Sequence, residues 1–306
     1  MKKYFLIGSL LLSLNLMALE QNEFLEISNN KEKIASSLLK DLRNMSKFKD
    51  SLFKLKSISS DNEYAAFDLG VYFEYKKEID KSILYYKKAI EIAKLSNNND
   101  ILKKSFFNLG LLYINNDKDK SIFYFKKASE LGVEKTYLIL GDLTGNEDYY
   151  KEAIKNGIFY SNLAYSKFLF KNNRIEESKK YAKKAFENKE DYIFYLGFLK
   201  DKNKQLYVLK QGIKDNDIKS KEILANSYIH GIITPVDLNK AIAILKDLNS
   251  KNSFYLLGEI YYKKGNLKKS LFNFNKFKYM NGSSNEKVES YIDNICDKQA
   301  NLCLKF

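Results

Sequence analysis

The chain has 306 residues, 45% hydrophobic and 29% charged, a balance that suits a globular protein. One proline and 13 glycines exclude collagen-like and proline-rich architectures, and five valines with three threonines are too few strand formers for an all-β fold. The net charge is +14, yet every cation except Arg43 and Arg174 is lysine, whereas evolved phosphate sites favour the arginine fork. The excess therefore reads as the Lys, Asn, Ile, Tyr and Phe bias of AT-rich coding, and nucleic acid is not an expected partner.

The first element is MKKYFLIGSLLLSLNLMALEQ. Lys2 and Lys3 form a positive start, Tyr4 to Met17 is largely apolar, and Ala18 offers a small residue for cleavage. The apolar stretch is short of the ~20 residues that span a bilayer, so 1–18 is expected to be a secretory signal peptide, with an uncleaved anchor as the alternative. No cysteine lies near the cleavage point, which excludes lipid attachment there. Once the signal is cleaved, no stable membrane span is expected. Export places the chain in the periplasm or outside the cell, an oxidising setting in which Cys296 and Cys303 can pair.

Residues 19–60 are expected to form a helical cap, with one apolar stripe of Ile34, Leu38, Leu39 and Leu42 and another of Phe48, Leu52, Phe53 and Leu55. From residue 61 a phrase recurs: an apolar residue, Gly, an aromatic a turn later, then a basic-aromatic stretch ending in a small residue. It reads FDLGVYF at 67–73 with YYKKAIEIA at 85–93, FNLGLLY at 107–113 with YFKKASELG at 124–132, and YLLGEIYYKKGNLKKSLFNFNKF at 255–277. Weaker copies begin at YLILGDL (137–143), LAYSKFL (163–169) and YLGFLKD (195–201). Apolar positions at i, i+3, i+4 and i+7 in both halves predict paired antiparallel helices. A glycine recurring at one helical register costs ~1 kcal/mol each time, so it must mark a close approach of helices. Asn115-Asn116-Asp117, Asn172-Asn173 and Lys264-Gly265-Asn266 supply turns. Ser283 with Glu286 fits a capping box opening a last helix whose apolar stripe is Val288, Tyr291, Ile292 and Ile295.

These residues resemble the tetratricopeptide repeat and its Sel1-like relative. Leu69, Gly70, Phe73, Ser82, Tyr86 and Ala89 fit the first pattern. So do Leu257, Gly258, Tyr261, Gly265, Ser270 and Phe274, with Phe277 replacing the usual Ala. A fourth unit fits with Ser166 in the Gly place, followed by Leu169, Ser178, Ala182 and Ala185. LANSYIHGIITPVDLNKAIAILK at 224–246 is similar to the Sel1 form, through Gly231, Pro235, Val236, Asp237, Lys240 and Ala241. The resemblance implies an all-α solenoid of stacked antiparallel helix pairs, about seven units over 61–284. Units three and five are short, and 285–306 is expected to be a capping helix fastened by a Cys296–Cys303 disulfide.

No catalytic set accompanies the repeats. His230 is the only histidine, so no His cluster can hold a metal and a His-dependent triad has no spare imidazole, and the cysteine spacing lacks a zinc pattern. No Gly-rich phosphate loop, H-E-x-x-H, G-x-S-x-G or S-x-x-K occurs in a convincing setting, and no cofactor or metal is expected. His230 is expected to lie at the surface or cap a loop.

What the resemblance implies instead is a groove lined by the first helix of each unit. Its positions map onto Tyr64, Phe67, Val71, Glu74 and Tyr75 in unit one, and onto Lys104, Phe107, Leu111, Ile114 and Asn115 in unit two. Unit four contributes Tyr160, Leu163, Lys167, Phe170 and Lys171, and unit seven Asn252, Tyr255, Glu259, Tyr262 and Lys263. Such a lining suits a peptide or a partner helix, although the same rings could instead pack between units. The expected function is a non-catalytic, secreted or periplasmic scaffold. The alternative is a cell-wall-associated ligand-binding protein or enzyme like the cysteine-rich Sel1-like proteins.

Overall fold

A computed structural model describes residues 35–37, 48–282 and 285–303. The expected signal peptide, and Ile34, Leu38, Leu39 and Leu42 of the cap, lie outside the described residues. Every regular element among the described residues is an α-helix, and consecutive helices pack as antiparallel pairs. The chain divides into two compact units, one ending at Tyr165 and the other starting at Ser166.

The first unit contains α1 (Phe48–Ile58), α2 (Glu63–Tyr75), α3 (Ile79–Leu95), α4 (Asn99–Tyr113), α5 (Lys118–Glu130), α6 (Thr136–Thr144), α7 (Glu147–Lys155) and the start of α8 (Ser161–Lys171). Side-chain caps open the helices where the sequence offers Asn or Asp. The Asn62 side chain accepts from the amides of Tyr64 and Ala65, and Asp117 accepts from Lys120. Leu55 of α1 is fully buried among Ala65, Leu69 and Phe73 of α2, so this helix closes the first hairpin. Phe53 is a correction to the expected stripe: it is 74% exposed, because it lies one residue, about 100° of helix, beyond Leu52. Within the unit α2 also lies against α4, whereas α3 and α5 stand farther apart, which puts the first helices of these two pairs on the inner side.

The hairpins close by one device. A Cβ built on Gly70 would come within 2.5 Å of the Tyr86 ring, and one on Gly110 within 2.7 Å of the Phe125 ring. The ring lies flat against bare backbone, and both aromatics are fully buried. Beside each contact a buried serine hydroxyl crosses to the glycine carbonyl, Ser82 to Gly70 and Ser121 to Gly110, both at 2.8 Å. The third pair is trimmed to nine residues per helix, and Tyr150 covers Gly141 after a shorter turn.

The second unit continues with α9 (Ile175–Glu187), α10 (Ile193–Leu196), α11 (Lys202–Lys214), α12 (Ile218–His230), α13 (Leu238–Leu245), α14 (Lys251–Lys263), α15 (Leu267–Asn281), α16 (Glu286–Lys298) and α17 (Ala300–Cys303). The fifth pair is cut hardest, since α10 is one turn of four residues. In the sixth, α12 ends at left-handed Gly231, and the longer loop folds back onto Ser227, whose hydroxyl accepts from the amides of Ile233 and Thr234 at 2.8 and 3.0 Å. The last pair repeats the glycine device with Phe274 on Gly258 and Ser270 bonded to the Gly258 carbonyl. The last long helix opens on Asn285, whose side chain accepts from the Val288 amide, while Ser283 of the expected capping box lies outside the described residues. Asn285 sits immediately before the helix, where an N-cap must be. Val288 and Ile295 are fully buried against α15, and Cys296 is bonded to Cys303 with their Cα atoms 5.7 Å apart.

Candidate functional site

In the first unit the inner wall is built around α2 and α4, which lie side by side. Tyr64 and Phe67 are half-buried, and Phe67 packs on Tyr86 with ring centroids 5.5 Å apart. Val71 and Tyr75, one and two turns further along the same helix face, are 36% and 81% exposed. Phe107 is buried edge-on against Phe125, and the Lys135 ammonium covers its outer face at 4.1 Å from the ring centre. Burial holds Lys135 below the usual lysine range. Leu111 and Ile114 are half-buried beside it. Tyr160 falls just outside its helix: α8 starts at Ser161, and Tyr160 takes left-handed backbone with φ 68° and an exposed ring against Phe159.

Sequence reasoning missed how this wall is wired. The Tyr86 hydroxyl, carried across Gly70 by its ring, emerges between α2 and α4. There it donates to Glu74 Oε2 at 2.8 Å and accepts from Asn108 Nδ2 at 2.9 Å. Burial raises the Glu74 carboxyl above the ordinary range, and the bond from Tyr86 offsets part of that rise. Burial, reinforced by Glu74, also holds the Tyr86 hydroxyl far above the normal tyrosine value. In the third pair Tyr150 donates to Asp142 at 2.6 Å in the same manner. The signal was present in the spacing, since an aromatic that crosses a glycine must deliver its far end to the inner side. Only a tyrosine has something to deliver.

In the second unit Phe170 is 48% exposed and stands edge-on to Phe194 and Phe198. Tyr255 and Tyr262 of α14 are half-buried and covered in part by α16. Tyr262 meets Tyr291 at 5.0 Å, the Lys287 ammonium lies 5.4 Å from the Tyr255 ring, and that of Lys298 lies 5.2 Å from Tyr262. Beside them buried Glu259 receives Lys263 at 3.1 Å and His230 Nε2 at 3.4 Å. His230 therefore reaches from the end of α12 to the first helix of the next pair, a partner that its place beside the loop did not reveal. No group of three or more metal-ligating side chains and no helix long and apolar enough to cross a membrane occurs among the described residues.

The tetratricopeptide repeat model matches residues 252–283, the last hairpin. No curated protein matches the chain. Similar solved structures include a Sel1 repeat protein from Oxalobacter formigenes, 16% identical, covering 91% of this chain and 99% of that one at a TM-score of 0.49. Another is c5321, a protective antigen of uropathogenic Escherichia coli with an SLR fold, 16% identical over 81% of this chain and 64% of that one, also at 0.49. A tetratricopeptide repeat protein from Parabacteroides merdae is 13% identical over 87% and 99%, at 0.41. The glycine–aromatic–serine geometry of the matched hairpin recurs at Gly70 and Gly110, so the tetratricopeptide-like hairpin is repeated beyond the matched residues.

Proposed function

We propose that the chain is an exported, non-catalytic scaffold, periplasmic or secreted, that binds a protein or peptide along the inner wall of its first unit. One observation carries this reading. Phe67, Val71 and Tyr75 lie on one face of α2, and that face opens progressively to solvent beside the half-buried Leu111 and Ile114 of α4. Aromatic and aliphatic contacts that are already ordered lose little side-chain entropy when a partner docks. The signal-like start and the paired cysteines support export.

Crosslinking in the native envelope, followed by capture of the chain, tests this. The Val71→Lys and Tyr75→Ala variants change positions that are 36% and 81% exposed, and unchanged helical circular dichroism is expected of both. Loss of a specific partner from both supports the proposal, and identical capture by wild type and variants refutes it.

A further inference from the structure

The charges of the first unit are sorted between its two layers. The first helices of its three pairs, α2, α4 and α6, carry five carboxylates and two lysines. The second helices, α3, α5 and α7, carry ten lysines and seven carboxylates. In a chain of net charge +14 the inner layer is thus acidic, and α2 contains no lysine at all. Glu74, on the face that carries Phe67 and Val71, is half-buried, and its carboxylate is fixed by the Tyr86 hydroxyl, itself held by Asn108. Among the described residues no lysine forms an ion pair with Glu74. The nearest one in sequence, Lys76, instead lies over the rings of Tyr72 and Tyr75, 5.9 and 5.8 Å from their centres. A fixed carboxylate in a partly dry, aromatic setting is complementary to a cation brought by a partner, through charge and through the faces of nearby rings.

We infer that the segment docking on this wall is apolar but carries a lysine or arginine that seats against Glu74. The inference rests on the scaffold reading above and specifies its partner. The ordered carboxylate needs no reorganisation to receive an ammonium or guanidinium, and desolvation by the incoming apolar residues strengthens the pair. The acidic inner layer steers a basic segment to this face and away from the lysine-rich second helices.

Selection of a random-peptide display library on the full chain, followed by titration of a recovered synthetic peptide, tests it. The expected peptides place one basic residue among apolar ones, and Glu74→Gln weakens their binding about tenfold while Val71→Lys abolishes it. Recovered peptides without basic enrichment, or with affinity unchanged by Glu74→Gln, overturn the inference. If Val71→Lys still abolishes their binding, the scaffold reading survives. Peptides insensitive to Val71→Lys and Tyr75→Ala as well, or no enrichment over a blank surface, overturn both.

Discussion

The buried hydroxyl of Ser82 donates to the carbonyl of Gly70 at 2.8 Å, and the same bond joins Ser121 to Gly110, Ser178 to Ser166 and Ser270 to Gly258. Each bond lies where two helices come closest, so only a small residue fits, and a small polar one adds a direct link between backbones. Ser82→Ala removes the donor and leaves a carbonyl inside a helix, where backbone bonding limits the penalty. The expected cost is about 1 kcal/mol, read as a lower urea midpoint with an unchanged slope.

The fourth pair exchanges sizes across the same contact. Ser166 occupies the glycine position, and the residue sixteen further on, aromatic at Tyr86 and Phe274, is Ala182. Ser166 fills the space a ring would need, and its own hydroxyl bonds back to the Ser178 carbonyl at 2.5 Å. Ala182→Phe alone should therefore destabilise by roughly 1–3 kcal/mol through overpacking, and adding Ser166→Gly should recover part of the loss. Thermal unfolding of the double-mutant cycle measures the coupling, and additive effects would show that the two sites do not share one space.

Seven residues after the glycine position the backbone turns left-handed: Lys77 at φ 61°, Asn173 at 59° and Gly265 at 73°. The following amide reaches back five residues in all three, as from Glu78 to the Phe73 carbonyl at 2.9 Å, so the turn is one motif with three different occupants. Lysine is the least suited of them, because its Cβ crowds the carbonyl in this conformation. Lys77→Gly should stabilise the first hairpin by about 0.5–1 kcal/mol, the relief of strain less the entropy that glycine adds to the unfolded chain. A fall in the melting temperature would contradict this account.

Much of this was legible before any coordinates. The period of 3.6, the recurring glycine and its spacing to an aromatic specify hairpins, and the short spacing after Gly141 announces the trimmed third pair. Lys77 was not legible as a turn residue, since lysine carries no left-handed preference and only alignment with Asn173 and Gly265 exposes it. The inner face was readable by register but not by exposure. Phe107 and Tyr75 occupy equivalent faces, yet Lys135 and Phe125 enclose one ring while the other stands in solvent. Those differences arise from neighbours far along the chain, which a repeat pattern does not encode. The partial cover of Tyr255 and Tyr262 by α16 has the same origin.

The disulfide closes a loop of only eight residues, so its loss should cost about 2.5 kcal/mol at most and act locally. In a repeat array each hairpin is stabilised by its neighbours, and loosening the end should fray α16 before the rest. Cys296→Ser with Cys303→Ser is expected to raise amide exchange in α16 and α15 while leaving α2 to α5 unchanged. Uniform acceleration along the chain would mean that the cap governs the stability of every hairpin.

The buried tyrosines make stability fail at high pH. Burial, with Glu74 beside Tyr86 and Asp142 beside Tyr150, raises both hydroxyls above the unfolded tyrosine value near 10. The folded state therefore retains protons that the unfolded chain releases. The contribution is complete below about pH 10 and shrinks as pH rises beyond it. Part of the tyrosinate absorbance should then appear only together with the loss of helical circular dichroism. Tyr150→Phe deletes one of the two groups and should flatten the fall of stability with pH, at the cost of leaving Asp142 without its donor. If all tyrosinate absorbance develops while the helical signal is intact, both hydroxyls ionise within the folded chain and the proposed coupling between proton release and unfolding is wrong.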